Sequence, residues 1–466
     1  MTYEQFIDKK KIESTSCGFD INRQYLNQRA FEWQKDIIRW MLKKGRAEGW
    51  EDCGLGKTVQ QLEWANQVCK HMHTSVLLFT PLAVAPQTKR EGEKFGISTN
   101  IAESQSDIKT GINITNYEKM DKFDLPKFGG VVLDESSILK SYNGKTRNAL
   151  IERCANVPYR SGWSATPAPN DYMEIGNHAE FLGVMSRSEM LATFFVHDGS
   201  DTAKWRLKGH AEDKFWEWIA SWAVVLQKPS DLGYEDGGFN LPPLNIHEHF
   251  VKSGDMEDID GQVLLLPKIR QTLSERRDTR KNSLQQRVRK AAEIAHATDE
   301  QVLVWCDYNA ESELLTKSIR GAVEVKGSDS DKHKMDAMAG FTNGSVRVLV
   351  SKPSIAGWGM NWQNCSKQIF VGVSDSYEQW YQAIRRCYRF GQTKPVDVHM
   401  ILSDSEGAVR ENLNRKHEEA QRMTRELIKH TQGILSAEIR GTTKNSEIYF
   451  ATEKIIVPSW LGGKAS

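Results

Sequence analysis

The chain has 466 residues, 39% hydrophobic and 26% charged, a composition that supports a buried core and excludes wholesale disorder. Lys plus Arg total 62 and Asp plus Glu 61, so the formal charge is +1 and any charged partner must be met by a local surface. The polar start MTYEQFIDKKKIE and the lack of any apolar run near ~18 residues argue against a secretory leader and a membrane span. The seven cysteines are scattered without a Cys-x-x-Cys pair, which fits a reduced, cytoplasmic compartment.

After a polar segment (1–22), the first informative stretch is EDCGLGKTVQQLEWA (51–65). Gly54 and Gly56 let the backbone turn its N–H groups inward at phosphate oxygens, Lys57 supplies a cation to the β/γ-phosphates, and Thr58 offers a hydroxyl to Mg²⁺. The strict phosphate-loop pattern is not met, because Glu51 stands where the first glycine belongs. The nearby Cys69, His71 and His73 match no familiar zinc spacing. SVLLFTP (75–81) and GGVVLDE (129–135) follow as aliphatic runs closed by polar residues. QVLVWCDYN (301–309), VRVLVSKP (346–353) and QIFVGVSD (368–375) repeat that grammar in the second half. These runs do not alternate, as expected of strands buried on both faces, and helical periods lie between them. The expected fold is therefore α/β, with doubly wound parallel sheets whose ligands collect at the carboxyl ends of the strands.

LDESS (133–137) lies at such an end. Asp134 is placed to hold Mg²⁺, and Glu135 to orient and deprotonate an attacking water, although adjacent acids also occur on ordinary loops. The Trp-rich stretch 172–240 sets Phe215, Trp218, Ile219 and Trp222 on one helical stripe. That stripe is expected to form a small helical core, with stacking on nucleic-acid bases as the competing reading. Residues 265–290 carry nine basic side chains against two acidic ones, a track for phosphates or a solvated helix. In QAIRRCYRFGQ (382–392), Arg386 and Arg389 lie one helical turn apart and can face a transferring phosphoryl group together. Alone, they could equally be a solvated basic face.

Read in order, these segments resemble the Swi/Snf-related ATPases of helicase superfamily 2, and look most like compact bacteriophage-type members. Gln34 in FEWQKDIIRW resembles the adenine-reading glutamine, EDCGLGKT motif I, LLFTPLAVAPQTKREGEKFG motif Ia, and ITNYE motif Ib. DESS, SATPAPN, IAGWGMNWQ and QAIRRCYRFGQ resemble motifs II, III, V and VI. The second motif departs from the usual DEAH or DEGH, leaving both acids intact.

The resemblance implies two RecA-like lobes, a helicase superfamily 2 core, with ATP and Mg²⁺ in the cleft. It implies an organisation into lobe 1 at 23–245 with a helical insertion near 172–240, a basic linker at 246–290, lobe 2 at 291–435 and a tail at 436–466. It assigns ATP to Gln34, Gly54, Leu55, Gly56, Lys57 and Thr58 of lobe 1 and to Gly357, Gly359, Asn361 and Gln382 of lobe 2. Catalysis falls to Lys57, Asp134, Glu135, Arg386 and Arg389, coupling to Ser164 and Thr166, and the metal to Thr58 and Asp134. Thr80, Asn116, Arg276 and Arg277 become candidates for contact with DNA. The expected protein is a monomeric, DNA-dependent ATPase motor that favours duplex without regard to sequence, avoids membranes, and serves phage DNA metabolism. An RNA-dependent helicase, an ATP-gated DNA-binding module without motor activity, and the motor chain of a restriction system are the competing readings.

Overall fold

The structure, a computed structural model, describes residues 14, 16–81, 84–140, 144–198, 201–252, 283–356, 360–372, 374, 376–403 and 407–439. Lobe 1 opens with α1 (Glu32–Lys44), β1 (Arg46–Glu51), α2 (Lys57–Met72), β2 (Val76–Thr80) and α3 (Ala85–Phe95). It continues through β3 (Thr99–Ile101), β4 (Ile112–Asn116), β5 (Gly130–Asp134), α4 (Lys145–Cys154) and β6 (Tyr159–Ser164). Then come α5 (Ile175–Leu182), α6 (Arg187–Phe194), the hairpin of β7 (Phe195–Asp198) and β8 (Asp201–Leu207), α7 (Glu212–Ala220) and β9 (Ala223–Leu226). The lobe 1 sheet has seven strands in the order β3-β4-β2-β5-β6-β1-β9, all parallel.

Lobe 2 comprises β10 (Leu244–Val251), α8 (Leu284–His296), β11 (Val302–Trp305), α9 (Asn309–Ser318), β12 (Ala322–Val325) and α10 (Asp331–Asn343). It closes with β13 (Val348–Ser351), α11 (Pro353–Ala356), β14 (Lys367–Val371), α12 (Tyr377–Ile384), β15 (Val396–Ser403) and α13 (Gly407–Ile439). Its six strands run parallel in the order β10-β15-β14-β11-β13-β12.

The aliphatic runs are the centres of both sheets because each face is covered. Leu77, Phe79, Val131 and Leu133 enter one core of lobe 1, while Val76, Leu78 and Val132 enter the core on the opposite face. In lobe 2, Leu303, Leu349 and Phe370 point one way and Val304, Val350 and Ile369 the other. Burying each such side chain contributes about 1.5–3 kcal/mol.

Three boundaries differ from those read in the sequence. The 172–240 stretch is not wholly helical: it holds the β7–β8 hairpin, and AVVL (223–226) returns to pair with β1 in the main sheet. Phe215, Trp218, Ile219 and Trp222 are all buried in lobe 1's core, with Trp218 stacked on Phe194 at 5.3 Å between ring centres. Leu244–Val251, read as the end of lobe 1 and the start of a linker, is the edge strand of lobe 2's sheet. Finally, α13 bridges both lobes. Val409 and Leu413 pack in lobe 2's core, whereas Met423 and Leu427 enter lobe 1's. Arg422 pairs with Glu212 at 2.7 Å, and the Tyr172 hydroxyl donates to the Glu419 carbonyl at 3.2 Å. Most of the basic stretch (253–282) and the tail from 440 lie outside the described residues. Among the described residues, no helix is long and apolar enough to cross a membrane.

Candidate active site

The loop between β1 and α2 is shaped for an anion. Gly54 and Gly56 have φ of 95° and 78°, a region side chains resist. A Cβ on Gly54 would lie 2.9 Å from the backbone nitrogen of Phe390 in lobe 2. Gly56 caps the 16-residue α2, whose first N–H groups and positive dipole end face the loop. Leu55 is a buried anchor; its carbonyl accepts from Gln34 Nε2 at 2.8 Å, while Gln34 Oε1 accepts from the Phe31 N–H at 3.0 Å. Gln34 therefore clamps the loop. Lys57 folds back on the loop, donating to the Glu51 and Asp52 carbonyls at 2.8 and 3.2 Å, and Thr58 is half-buried beside it.

Glu51, the residue in the missing glycine's place, is fully buried at the foot of the loop. Its Oε2 accepts from Gln60 Nε2 at 2.7 Å, and its Oε1 has no partner among the described residues. Burial pushes its carboxyl up to about 7, against the pull of Lys57 and Gln60. Ionising it in place therefore costs folding energy, fully so above pH 7, and the cost fades as pH falls toward 4.5, its ordinary value. Glu51→Gln is expected to stabilise the protein at pH 8 by up to about 3 kcal/mol, with the gain gone near pH 4.5, as read by denaturant unfolding at both pH values. An equal effect at both would contradict the assignment.

Asp134 ends β5 and accepts from Gln61 Nε2 at 2.7 Å; its carbonyl accepts from the Tyr117 hydroxyl at 2.6 Å. Glu135 follows in the left-handed region, φ 57°, a strained conformation of the kind that collects at functional sites. Burial raises both carboxyls, and Asp134 beside it helps push Glu135 to about 7, while Lys57 and Arg386 oppose. Ser164 closes β6 opposite Trp50 of β1, and its hydroxyl accepts from the Thr166 N–H at 3.1 Å. The Thr166 hydroxyl is buried without a partner among the described residues.

Lobe 2 supplies the other wall. Arg386 and Arg389 follow α12 and form no ion pair among the described residues. Burial lowers the pKa of Arg386, and burial with the neighbouring Arg386 brings Arg389 down to about 10. Arg386 is braced by the segment before it: its Nη1 donates to the Met360 carbonyl at 3.2 Å, and its own carbonyl accepts from the Trp362 N–H at 2.9 Å. Gln382 Nε2 reaches Glu135 Oε2 across the cleft at 3.4 Å. Asn361 is exposed, and Gly357 and Gly359 lie outside the described residues.

Two of the DNA candidates are buried. Thr80 is fully buried, its hydroxyl donating to the Thr115 carbonyl at 3.4 Å, and Asn116 is buried as well. The Asn116 side-chain oxygen has no hydrogen-bond partner among the described residues. Arg276 and Arg277 lie outside the described residues.

The structure adds five site residues that sequence reading passed over: Asp52, Lys140, Glu378, Tyr381 and Arg385. Arg385 Nη2 pairs with Asp52 of the phosphate loop at 2.5 Å and donates to the Cys53 carbonyl at 2.9 Å. The Tyr381 hydroxyl also donates to Asp52. Lys140 of lobe 1 pairs with Glu378 of α12 beside them. The side chains of Arg385 and Asp52 are 7% and 16% exposed, so breaking the pair leaves a buried charge uncompensated, typically at about 3–5 kcal/mol. Arg385→Ala is expected to part the lobes, seen as a longer distance between labels on the two lobes and a larger radius of gyration. Unchanged distances would show that α13 and the remaining contacts, among them Tyr381–Asp52 and Lys140–Glu378, hold them without Arg385.

Lys57 and Arg386, the latter without an ion pair among the described residues, thus lie near two carboxylates whose ionisation burial opposes, with Arg389 beside Arg386. That donor set fits a magnesium-bound triphosphate, which would neutralise the arginines and be held by the acids. Two parallel-sheet α/β lobes, a phosphate loop in the first and two arginines in the turn after α12 in the second, define the fold class: a RecA-like, two-lobed α/β core. Residues 284–391 match the family model of the helicase conserved C-terminal domain, a span that contains both arginines. The chain is similar to human TATA-binding protein-associated factor 172, 26% identical over 213 residues, covering 38% of this chain and 11% of that protein. It is also similar to the bifunctional helicase and thymine dioxygenase of Leishmania major, 27% identical over 121 residues, covering 24% and 10% respectively. The chain spans about a tenth of the length of these curated relatives. Among solved structures it is similar to the Sulfolobus solfataricus SWI2/SNF2 ATPase core in complex with dsDNA, with a TM-score of 0.42, 19% identity, and coverage of 83% of this chain and 90% of that one.

Proposed function

We propose that this chain is a Swi/Snf-related ATPase motor of helicase superfamily 2, converting ATP hydrolysis into movement along duplex DNA. The observation that carries the reading is the split site. Glu135 belongs to lobe 1, Gln382 reaches it from α12 of lobe 2, and Arg386 and Arg389 lie in the turn just beyond that helix. In this reading, Lys57 and the start of α2 hold the β- and γ-phosphates of the substrate ATP. Thr58 and Asp134 would hold Mg²⁺, which would neutralise charge on those phosphates. Glu135 accepts a proton from the water that attacks the γ-phosphorus, and ADP departs as its bond to that phosphorus breaks. Arg386 and Arg389 stabilise charge on the transferring group. Because the lobes supply different parts of one site, hydrolysis removes the group that bridges them and lets them separate.

DNA contact is expected mainly through phosphates, hence salt-sensitive and indifferent to sequence, with the basic side chains of 265–290 other than the buried, Glu311-paired Arg287 as the candidate track. The chain furnishes its own arginines, which favours a monomer. The setting we propose is the host cytoplasm, in bacteriophage DNA metabolism. ATP hydrolysis measured with duplex DNA, single-stranded DNA and RNA tests the reading. Stimulation strongest with duplex supports it; stimulation by RNA alone would replace it with an RNA-dependent helicase.

A further inference from the structure

We propose that α5 is the crossbar linking the phosphate site to the SATPAPN loop, and that His178 is its positioning residue, acting through Glu48 and Ser136. Glu48 lies in β1, just before the phosphate loop, and is fully buried, as is His178. His178 Nδ1 meets Glu48 Oε1 at 3.0 Å, and Nε2 meets the Pro167 carbonyl, in the loop after Ser164, also at 3.0 Å. A carbonyl only accepts, so Nε2 carries a proton, and a second proton lies between Nδ1 and the carboxylate. The other carboxylate oxygen accepts from the Ser136 hydroxyl at 2.8 Å and from Trp50 Nε1 at 3.1 Å. Ser136 directly follows Glu135. One buried carboxylate thus joins the residue next to the proposed base to the loop that carries Thr166.

Two further observations show that the linkage is built into the fold. A Cβ on Gly162 of β6 would lie 2.2 Å from Glu48 Oε1, so a side chain there would displace the carboxylate. The neighbour of His178 on α5, Asn177, donates to the Leu139 and Lys140 carbonyls at 2.8 and 3.3 Å, and Lys140 pairs across the cleft with Glu378. The helix therefore grips the turn after Glu135 with one residue and the SATPAPN loop with the next. A shift at either end has to move the other, because a buried network of this kind has few satisfied alternatives.

This inference rests on the reading of the chain as a DNA-stimulated ATPase. The test compares wild type, His178→Ala, Glu48→Gln and Ser136→Ala in steady-state ATP hydrolysis with and without duplex DNA. His178→Ala is expected to lose most of the DNA stimulation, about tenfold or more, with KM for ATP within about twofold of wild type. Glu48→Gln can donate to Nδ1 and accept from Ser136 and Trp50, so it is expected to keep stimulation within about twofold. Ser136→Ala removes a single hydroxyl, tolerable to the fold, and is expected to lower stimulation at least about twofold. Full stimulation in either His178→Ala or Ser136→Ala overturns the inference while leaving the motor reading intact. A wild-type chain that no DNA stimulates removes the motor reading itself.

Discussion

Replacing Arg386 with alanine lowers the turnover of ATP hydrolysis about 1000-fold or more, while ATP affinity stays within a few-fold. The expectation follows from where the guanidinium sits. It is buried, pairs with no acid among the described residues, and is near enough to Glu135 and Asp134 for each to oppose the effect of burial on it. A cation kept without a counter-ion in a low-dielectric cleft is disfavoured at rest and favoured when negative charge develops opposite it. Its value should therefore appear in turnover and not in KM. Losing a desolvated, unpaired charge should not unfold the lobe, so the variant should melt near wild type. Arg386→Lys is expected to rescue little, because an ammonium lacks the planar fork that also holds the Met360 carbonyl. A variant with a raised KM and normal turnover would assign Arg386 to nucleotide binding only.

Glu135→Gln is expected to reduce turnover about 100- to 10,000-fold and to trap bound ATP, since the amide keeps the size and the contact with Gln382 but cannot accept a proton. The same residue sets a pH signature. Burial, reinforced by Asp134, raises its carboxyl to about 7, so a growing share is protonated as pH falls below that value. A base works only when ionised. The kcat/KM profile of the wild type should therefore climb from pH 5.5 to about 7 and then level, a limb belonging to the Asp134–Glu135 pair. The residual activity of Glu135→Gln should lack that limb. A flat wild-type profile would place the base elsewhere.

Legibility in the sequence tracked burial on both faces. VLLFT and VVLD read as strands because both sides of each are apolar, and β11, β13 and β14 follow the same rule. β1 and β6 did not, because RAEGWE and YRSGWS place Glu48, Arg160 and Ser161 inside the lobe, where hydrogen bonds and not hydrophobic period justify them. AVVL was absorbed into the Trp-rich region because a short apolar run does not announce which sheet it returns to. LNIHEHFV carries polar residues because it is an edge strand, half in solvent, and so looked like linker.

In the site, Lys57, Asp134, Glu135 and Arg386 were legible as residue types, although Arg386 and Arg389 lie in the turn after α12 and not on the helix their spacing implied. The Arg385–Asp52 pair was not, since its partners stand 333 residues apart and only the docking of two lobes brings them together. The doubled arginine at 385–386 was the available signal: one of the two faces the phosphate loop's acid, leaving the other free for the cleft.

In the motor proposed here, a site assembled from both lobes drives movement on DNA. Displacement of a third strand from a triplex tests this most directly, because a translocating protein strips that strand without unwinding the duplex. The expected result is displacement that requires ATP and intact Arg386 and stops at high salt. Duplex-stimulated ATP hydrolysis with the third strand left in place would contradict the claim, leaving an ATP-gated DNA-binding protein instead of a motor.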